Sequence, residues 1–312
     1  MNVLITGVSG FIGSHLAATV KGIRGINLSV ASRNPSISNA AAVFIIDNLD
    51  ANQDWSNAVF SQDVVIHCAA KAQAMGLPEG NITGGYNISN VDGTLNLARQ
   101  AAANGVKRFI FLSSIKVNGE STPLHQPFYV DSKTSPEDEY GVSKLEAETE
   151  LQRLAAETSM EVVIIRPPLV YGPGVKGNFS SLIKLVENGF PLPLGSTRNQ
   201  RSLVALDNLV DLIVTCIDHP AAANQVFLVS DGQDLSTTEL LRGVAKAAGK
   251  PSRLIPIPSS FLMFAATLLG KKAEAQRLLG SLQVDISKAR DLLGWEPPLS
   301  VEEGLRRCFI KD

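Results

Sequence analysis

Val3-Leu4-Ile5-Thr6-Gly7-Val8-Ser9-Gly10-Phe11-Ile12-Gly13 decides how the rest of the chain is read. Its apolar, β-branched start reads as a buried strand, and the glycines behind it turn the backbone into a helix that begins near Phe11. Ile12, Leu16 and Val20 share one face of that helix. Strand, glycine turn and helix form a cradle for a dinucleotide. Gly7 permits the sharp turn, Gly10 lets the main chain approach a pyrophosphate, and Gly13 lets helix pack closely on strand. The phosphates sit at the positive helix N-terminus, which makes Gly7, Gly10, Phe11, Ile12 and Gly13 candidate cofactor residues. The spacing is Gly-x2-Gly-x2-Gly, one residue longer at the first gap than the usual fingerprint. An ordinary strand-to-helix turn has the same pattern, so context must carry the case.

Short apolar runs recur downstream: Asn27 to Ala31, Val43 to Ile46 with Asp47-Asn48-Leu49 behind it, Val64 to Cys68, Phe109 to Leu112 and Val162 to Ile165. Helical stretches separate them, among them Ile88 to Asn104 and one that starts near Tyr140. Alternating strands and helices predict an α/β, Rossmann-like, doubly wound parallel sheet over the first 165 residues. Ligands of such sheets bind beyond the carboxyl ends of the strands. Past Arg166 the rhythm breaks at Pro167-Pro168, Gly172-Pro173-Gly174 and Pro191-x-Pro193, where a smaller, mixed C-terminal substrate lobe is expected. Leu203-Val204 and Val226 to Val229 return as strands, so the expected division is discontinuous. Residues 1–166 plus about 202–231 form the dinucleotide domain, and about 167–201 plus 232–312 the substrate lobe. Glu120 to Glu139, with Pro123, Pro127 and Pro136, is long for a connection and is expected to lie over the site.

A chain of 312 residues, 45% hydrophobic and 19% charged, can bury a large core. Its net charge of −2, with Lys and Arg scattered, argues against nucleic acid as a partner. The first strand starts at residue 3, which leaves no room for a leader segment, and a cytoplasmic location is expected. Cys68, Cys216 and Cys308 are too few for a disulfide framework or a zinc site, so no metal is expected. Leu254 to Gly270 is mostly apolar and precedes Lys271-Lys272, as a membrane-surface helix would. Pro256 and Pro258 interrupt it, and the clean run from Phe261 to Leu269 is far short of a span. A core or interface helix is the expectation there.

Tyr140-Gly-Val-Ser-Lys144 puts a phenol and an ammonium four residues apart, on one helix face. A phenol of pKa ~10 is a poor base at neutral pH, and a nearby cation favours the phenolate. Tyr140 is the candidate acid/base and Lys144 its partner. Ser114 follows the fifth strand, where its hydroxyl can bind the same substrate oxygen, whereas Ser113 reads as part of a strand-to-loop turn.

Gly7, Gly10, Gly13, Ser114, Tyr140 and Lys144 together resemble the extended short-chain dehydrogenase/reductases, in particular their nucleotide-sugar epimerase/dehydratase group. Further matches run along essentially the whole chain: Asp47-Asn48-Leu49, His67-Cys-Ala-Ala70, Asn90-Val-Asp-Gly-Thr94, Arg166 with Tyr171-Gly-Pro-Gly174, Arg201 to Asp207, and Leu293-Gly-Trp295 with Glu302-Glu-Gly-Leu305. The resemblance implies that Asp47 and Asn48 lie by the adenine, that Ala69, Ala70 and Lys71 line the dinucleotide with Asn90 beside them, and that Lys144 also holds the nicotinamide ribose. It makes Asn178 and Arg201 candidates for a nucleotide-sugar diphosphate, with Lys116 and Arg277 as further substrate candidates. The planar donor fork of Arg201 suits a phosphate, though a surface salt bridge would use it equally well. The resemblance also suggests a homodimer joined through residues 88–104 and 140–158.

Departures from the family pattern narrow the chemistry. Members that eliminate water carry an Asp-Glu pair directly after the catalytic hydroxyl; Ile115-Lys116 stands here, which disfavours a 4,6-dehydratase. Leu169 replaces the asparagine usual three residues after Arg166. NAD-selective folds end the second strand with an acid, but this chain has Ala31-Ser32-Arg33, which suits a 2′-phosphate. NADP(H) is therefore favoured, with NAD(H) as the other option. Ser113 to Gly119 resembles a branch that reduces 4-keto-6-deoxy sugars for surface polysaccharide. The leading expectation is hydride transfer at C4 of a UDP-linked hexose, in the direction of reducing a 4-keto sugar, N-acetylated forms included. The alternative is a UDP-hexose 4-epimerase, for UDP-glucose or UDP-N-acetylglucosamine, with retained NAD. A non-enzymatic NADP(H) sensor is a third option, disfavoured because Ser114, Tyr140 and Lys144 are all present.

Overall fold

The computed structural model describes residues 1–34, 40–71 and 86–310, without the side chains of residues 178 and 273. Seven parallel strands form one sheet in the order β3-β2-β1-β4-β5-β6-β9. They are β1 (Asn2–Thr6), β2 (Asn27–Ser32), β3 (Ala42–Ile45), β4 (Val64–His67), β5 (Arg108–Leu112), β6 (Glu161–Arg166) and β9 (Val226–Leu228), with β7 (Leu169–Tyr171) and β8 (Leu203–Ala205) paired apart. The strands read as continuous apolar runs because both faces are covered. Val3, Ile5, Val30, Ile66, Ile110 and Val163 face one core, and Leu4, Val65, Phe109, Phe111, Val162 and Ile164 face the other, as a period of two requires. The order reverses between β1 and β4, which opens a crevice beyond their carboxyl ends.

Helices α1 (Phe11–Lys21), α6 (Leu206–Asp218) and α10 (Ser287–Leu293) cover the first face, with Leu16, Val20, Leu209, Ile213, Ala289 and Leu293 in the shared core. The second face is covered by α2 (Ser56–Val59), α3 (Thr94–Ala103) and α4 (Glu139–Glu157). A π-helical stretch, Asn87–Gly93, leads into α3. Residues 282–295 thus return from the C-terminal part to pack on the large sheet, where the Trp295 indole donates to Asp211 of α6 at 2.8 Å. The sequence places a third strand through Ile46; pairing stops one residue earlier, at Ile45 opposite Ser32.

A separate core gathers Tyr171 of β7, Leu203 of β8, Phe179 of α5 (Asn178–Glu187), Leu240 and Val244 of α7 (Thr237–Ala247), and Val301 and Leu305 of α11 (Val301–Arg307). Ser236 caps α7 through a reciprocal pair with Glu239. The two remaining helices, α8 (Ser259–Leu268) and α9 (Lys272–Leu279), lie against each other. None of the residues of α8 is buried, so of the expected core or interface helix at Leu254 to Gly270 the core option is corrected: Phe261, Phe264 and Leu268 are exposed while Leu262 and Met263 are half-buried. No helix among the described residues is long and apolar enough to cross a membrane. The Glu120 to Glu139 stretch is pinned to the C-terminal part by Thr122 N–H donating to Ser281 at 2.9 Å and Phe128 N–H donating to Gln283 at 2.8 Å.

Where the two cores meet, the Tyr171 hydroxyl donates to Asp231 at 2.6 Å, and Asp231 also accepts from Ala205 N–H and the Asn208 amide, both at 2.7 Å. Burial pushes the Asp231 carboxyl up and these donors pull it down. Removing one donor leaves a buried acceptor short of a partner. Tyr171→Phe is expected to cost about 1–3 kcal/mol in urea unfolding; an unchanged midpoint would show that this junction holds nothing together.

Candidate active site

The cradle after β1 is built as tightly as its glycines suggest. Gly7 has φ of 79°, and a Cβ there would lie 2.5 Å from the Ala69 nitrogen, so the turn presses on the chain leaving β4. A Cβ on Gly13 would lie 2.3 Å from the Gly7 carbonyl oxygen, so α1 crosses directly over the turn. Gly10 is different: it is exposed, has φ of −87°, and a Cβ would meet only the Gly7 oxygen, at 3.2 Å. No side chain caps the N-terminus of α1. Close packing at Gly7 and Gly13, with open main chain at Gly10, fits a pyrophosphate held by backbone N–H groups.

Further cofactor candidates line the same strand ends. Ser32 is buried at the end of β2, its Oγ accepting from Asn34 N–H at 3.0 Å, while Arg33 is exposed beside it. Asp47 and Asn48 are exposed after β3, and the Gln53 side chain fixes their N–H groups at 3.0 and 3.3 Å. Ala69, Ala70 and Lys71 follow β4. Asn90 is fully buried: its amide binds both main-chain groups of Lys71, at 2.8 and 3.1 Å, and the Ser143 hydroxyl at 3.1 Å. Its donors are spent on holding the Lys71 loop against α4.

Ser114 sits where β5 ends and caps a single 3-10 turn, Ile115–Val117, by accepting from Lys116 N–H at 3.3 Å. Asp138 caps α4 through Gly141 N–H at 2.7 Å. Gly141 allows the approach between these two segments, since a Cβ would lie 2.9 Å from the Lys116 carbonyl oxygen. Tyr140 and the turn that bears Ser114 thereby meet. Tyr86, which no sequence signal singles out, packs edge-on against Tyr140 with ring centroids 6.1 Å apart. One helical turn along, the buried Lys144 ammonium donates to the Leu112 carbonyl at 2.9 Å and lies 4.4 Å from the Phe111 ring centroid.

These surroundings set the protonation states. Burial pushes Lys144 down to about 8, against the pull of Cys68 and Glu148. Burial, with Asp138 and Tyr86, pushes Tyr140 up to about 12. In the chain by itself the Lys144 ammonium is turned to the Leu112 carbonyl, 6.0 Å from the Tyr140 ring centroid. Burial, then Lys144, pushes His67 down to about 3, so His67 is neutral and bridges Thr6 at 2.7 Å to Thr94 at 3.0 Å.

Behind the pair lies a group that the sequence analysis passed over. Glu148, one further turn along α4, is buried and takes Arg166 Nε on its two oxygens at 3.0 and 3.1 Å. Ser113 donates to the same carboxylate, and Arg166 reaches Asn118 at 3.0 Å. Ser113 is thus a fastening between β5 and α4 as well as part of a turn. Its signal was available: Tyr140, Lys144 and Glu148 recur every four residues, with an arginine at the end of the next strand.

Two of the substrate candidates, Lys116 and Arg277, meet at one acid. Glu120 accepts from Lys116 at 2.8 Å and from Arg277 at 3.4 Å, and Lys116 also pairs with Asp138. Arg201 donates to the main-chain carbonyls of Arg277 at 2.8 Å and Gly280 at 3.1 Å, which ties β8 to α9. The Asn178 side chain lies outside the described residues. Among the described residues, no three His, Cys, Asp or Glu gather as metal ligands. Gly10→Val is expected to fold normally and lose at least about tenfold in dinucleotide affinity, whereas Gly13→Ala is expected to destabilise the fold by about 1–3 kcal/mol through overpacking. Calorimetry and urea unfolding on both variants check this; a Gly10→Val protein that binds like the parent would refute the cradle.

Comparison with known proteins matches this geometry to a family. The model of the NAD dependent epimerase/dehydratase family matches residues 3–230. A UDP-glucose 4-epimerase of Vibrio cholerae is 48% identical over 307 residues, covering 98% of this chain and 94% of its own. An N-acetyl-alpha-D-glucosaminyl-diphospho-ditrans,octacis-undecaprenol 4-epimerase of Escherichia coli O157:H7 is 29% identical, covering 99% and 94%. Among solved structures, a UDP-glucuronic acid 4-epimerase from Bacillus cereus in complex with NAD superposes with a TM-score of 0.79 at 23% identity, covering 98% of this chain and 97% of that one. With the glycine cradle, the parallel sheet and these matches in hand, the chain belongs to the NAD-dependent epimerase/dehydratase family.

Proposed function

We propose that this chain is a UDP-hexose 4-epimerase that retains and recycles its dinucleotide. The observation that carries this reading is that the start of α4, with Tyr140 and Lys144, is packed on the end of β5, Lys144 on the Leu112 carbonyl and Gly141 against the Lys116 carbonyl, beside the turn that Ser114 caps, while Ile115 and Lys116 stand where a second acid/base pair would. Ile115 is buried and Lys116 is engaged by Glu120 and Asp138, so the positions where elimination would need an acid and a base offer neither. The extent of the Vibrio relative supports the same conclusion. The bound dinucleotide supplies oxidation and reduction at C4. Tyr140 takes the proton from the C4 hydroxyl and returns it to the C4 oxygen once the sugar has presented its other face; Ser114 orients that oxygen. The Lys144 ammonium stabilises the phenolate when Tyr140 is deprotonated. Arg201 and Arg277 form the basic end of the site for the diphosphate, where planar donor forks suit its oxygens.

A second reading, net reduction of a UDP-linked 4-keto sugar with NADPH, is favoured by one observation: Arg33 stands exposed beside Ser32 at the end of β2. The two readings part in one assay. Epimerisation predicts interconversion of UDP-glucose and UDP-galactose, or their N-acetyl forms, with no net dinucleotide consumed; steady NADPH consumption with a 4-keto sugar would replace it. Tyr140→Phe removes only the hydroxyl and is expected to cut kcat by about 10²–10⁴-fold at unchanged stability. A Tyr140→Phe enzyme with parental kcat would sink both readings.

The protonation states add a pH signature. Catalysis by the Tyr140 phenolate with a charged Lys144 needs a group at about 12 to lose its proton and one at about 8 to keep it. Below the lower value the phenolate fraction grows roughly tenfold per pH unit; above it the loss of ammonium cancels that growth. A kcat/KM that rises with pH and levels off near 8 is the expected profile, and one that is flat below 8 contradicts these roles.

A further inference from the structure

Among the described residues, α8 and the residue after it carry four of the five most exposed large apolar side chains. Phe261, Phe264, Leu268 and Leu269 are 61, 62, 73 and 74% exposed, and the first three recur at i, i+3 and i+7 on one face. The stretches suggested as a dimer contact, residues 88–104 and 140–158, expose Ile88 and Val142 among charged residues such as Arg99, Glu146 and Arg153. A contiguous apolar stripe of this kind marks a surface that something covers.

Charge identifies the occupant. The chain as a whole carries −2, yet residues 250–279 hold Lys250, Arg253, Lys271, Lys272 and Arg277 against Glu274 alone, a local excess of 5 − 1 = +4. Lys250, Arg253, Lys271 and Lys272 are exposed, and α8 itself contains no charged residue. Aromatic and leucine side chains on one face, flanked by lysines and arginine, combine the two interactions that seat a helix in the interface of an anionic bilayer. An apolar contact with a second copy would gain nothing from this local excess of like charge. We propose that α8 is a peripheral anchor that docks the C-terminal part of the protein on an anionic membrane surface. The anchor adjoins the site, since α9 follows α8 directly and its Arg277 meets Glu120 and supports Arg201. This goes beyond the proposed epimerase activity and does not depend on it.

Vesicles of equimolar phosphatidylglycerol and phosphatidylcholine test it by co-sedimentation with the full-length protein. Binding at low ionic strength, at least tenfold weaker in Phe264→Glu/Leu268→Glu and in Lys271→Glu/Lys272→Glu, and weakened by salt, is expected. All four residues are exposed, so circular dichroism and turnover of UDP-glucose in solution should be unchanged. Failure of the parent protein to bind these vesicles overturns the proposal, as does equal binding to pure phosphatidylcholine. Sedimentation equilibrium provides the remaining arm: an assembly that the Phe264→Glu/Leu268→Glu variant dissociates would assign the face to a second copy.

Discussion

Glu148 and Arg166 carry opposite charges where neither reaches water, and the position of every reactive group depends on their meeting. The carboxylate projects from α4 and the guanidinium from the end of β6, while Ser113 joins from the end of β5 and Asn118 from the loop beyond it. A buried pair of this kind is no evidence of extra stability, because desolvation consumes most of the attraction. What it supplies is register. α4 cannot slide or rotate along the sheet without stranding a charge, at a cost of about 3–5 kcal/mol. Lys144 and Tyr140, one and two turns before Glu148, are therefore held in register with the end of β5.

The same logic of close approach explains the glycines. Gly7 and Gly13 are demanded by main-chain contact, with Ala69 and with each other, and Gly141 by the Lys116 carbonyl. Gly7 and Gly13 lie at the crevice where the strand order reverses, between β1 and β4, and Gly141 brings the start of α4 against the turn after β5. Small residues thus draw the cradle together while the buried ion pair fixes the catalytic helix beside it.

The sheet was legible because its strands are short, mostly apolar runs of three to six residues and its first turn is marked by spaced glycines. The Tyr140–Lys144 pair was legible because helical spacing is visible along the chain. What escaped was non-local. Glu148 looks like one more acid of a polar helix until Arg166 folds back on it from eighteen residues away. Asn90 resembles a ligand-binding amide until its two partners, Lys71 and Ser143, arrive from 19 and 53 residues off. The protonation of Tyr140 escaped for the same reason, since the spacing predicts proximity to Lys144 and cannot foresee that the Leu112 carbonyl takes the ammonium. The apolar run at Phe261 to Leu269 reads alike as core or surface, because burial is a property of the neighbours.

The central claim is a closed cycle at C4: the dinucleotide accepts and returns the same hydrogen without leaving. UDP-glucose deuterated at C4, incubated with the purified protein and no added cofactor, tests it in one mass-spectrometric and NMR measurement. The account predicts UDP-galactose that keeps its deuterium at C4, with no reduced dinucleotide in solution. Product with deuterium lost from C4, or turnover only when NADPH is supplied and consumed, would contradict it.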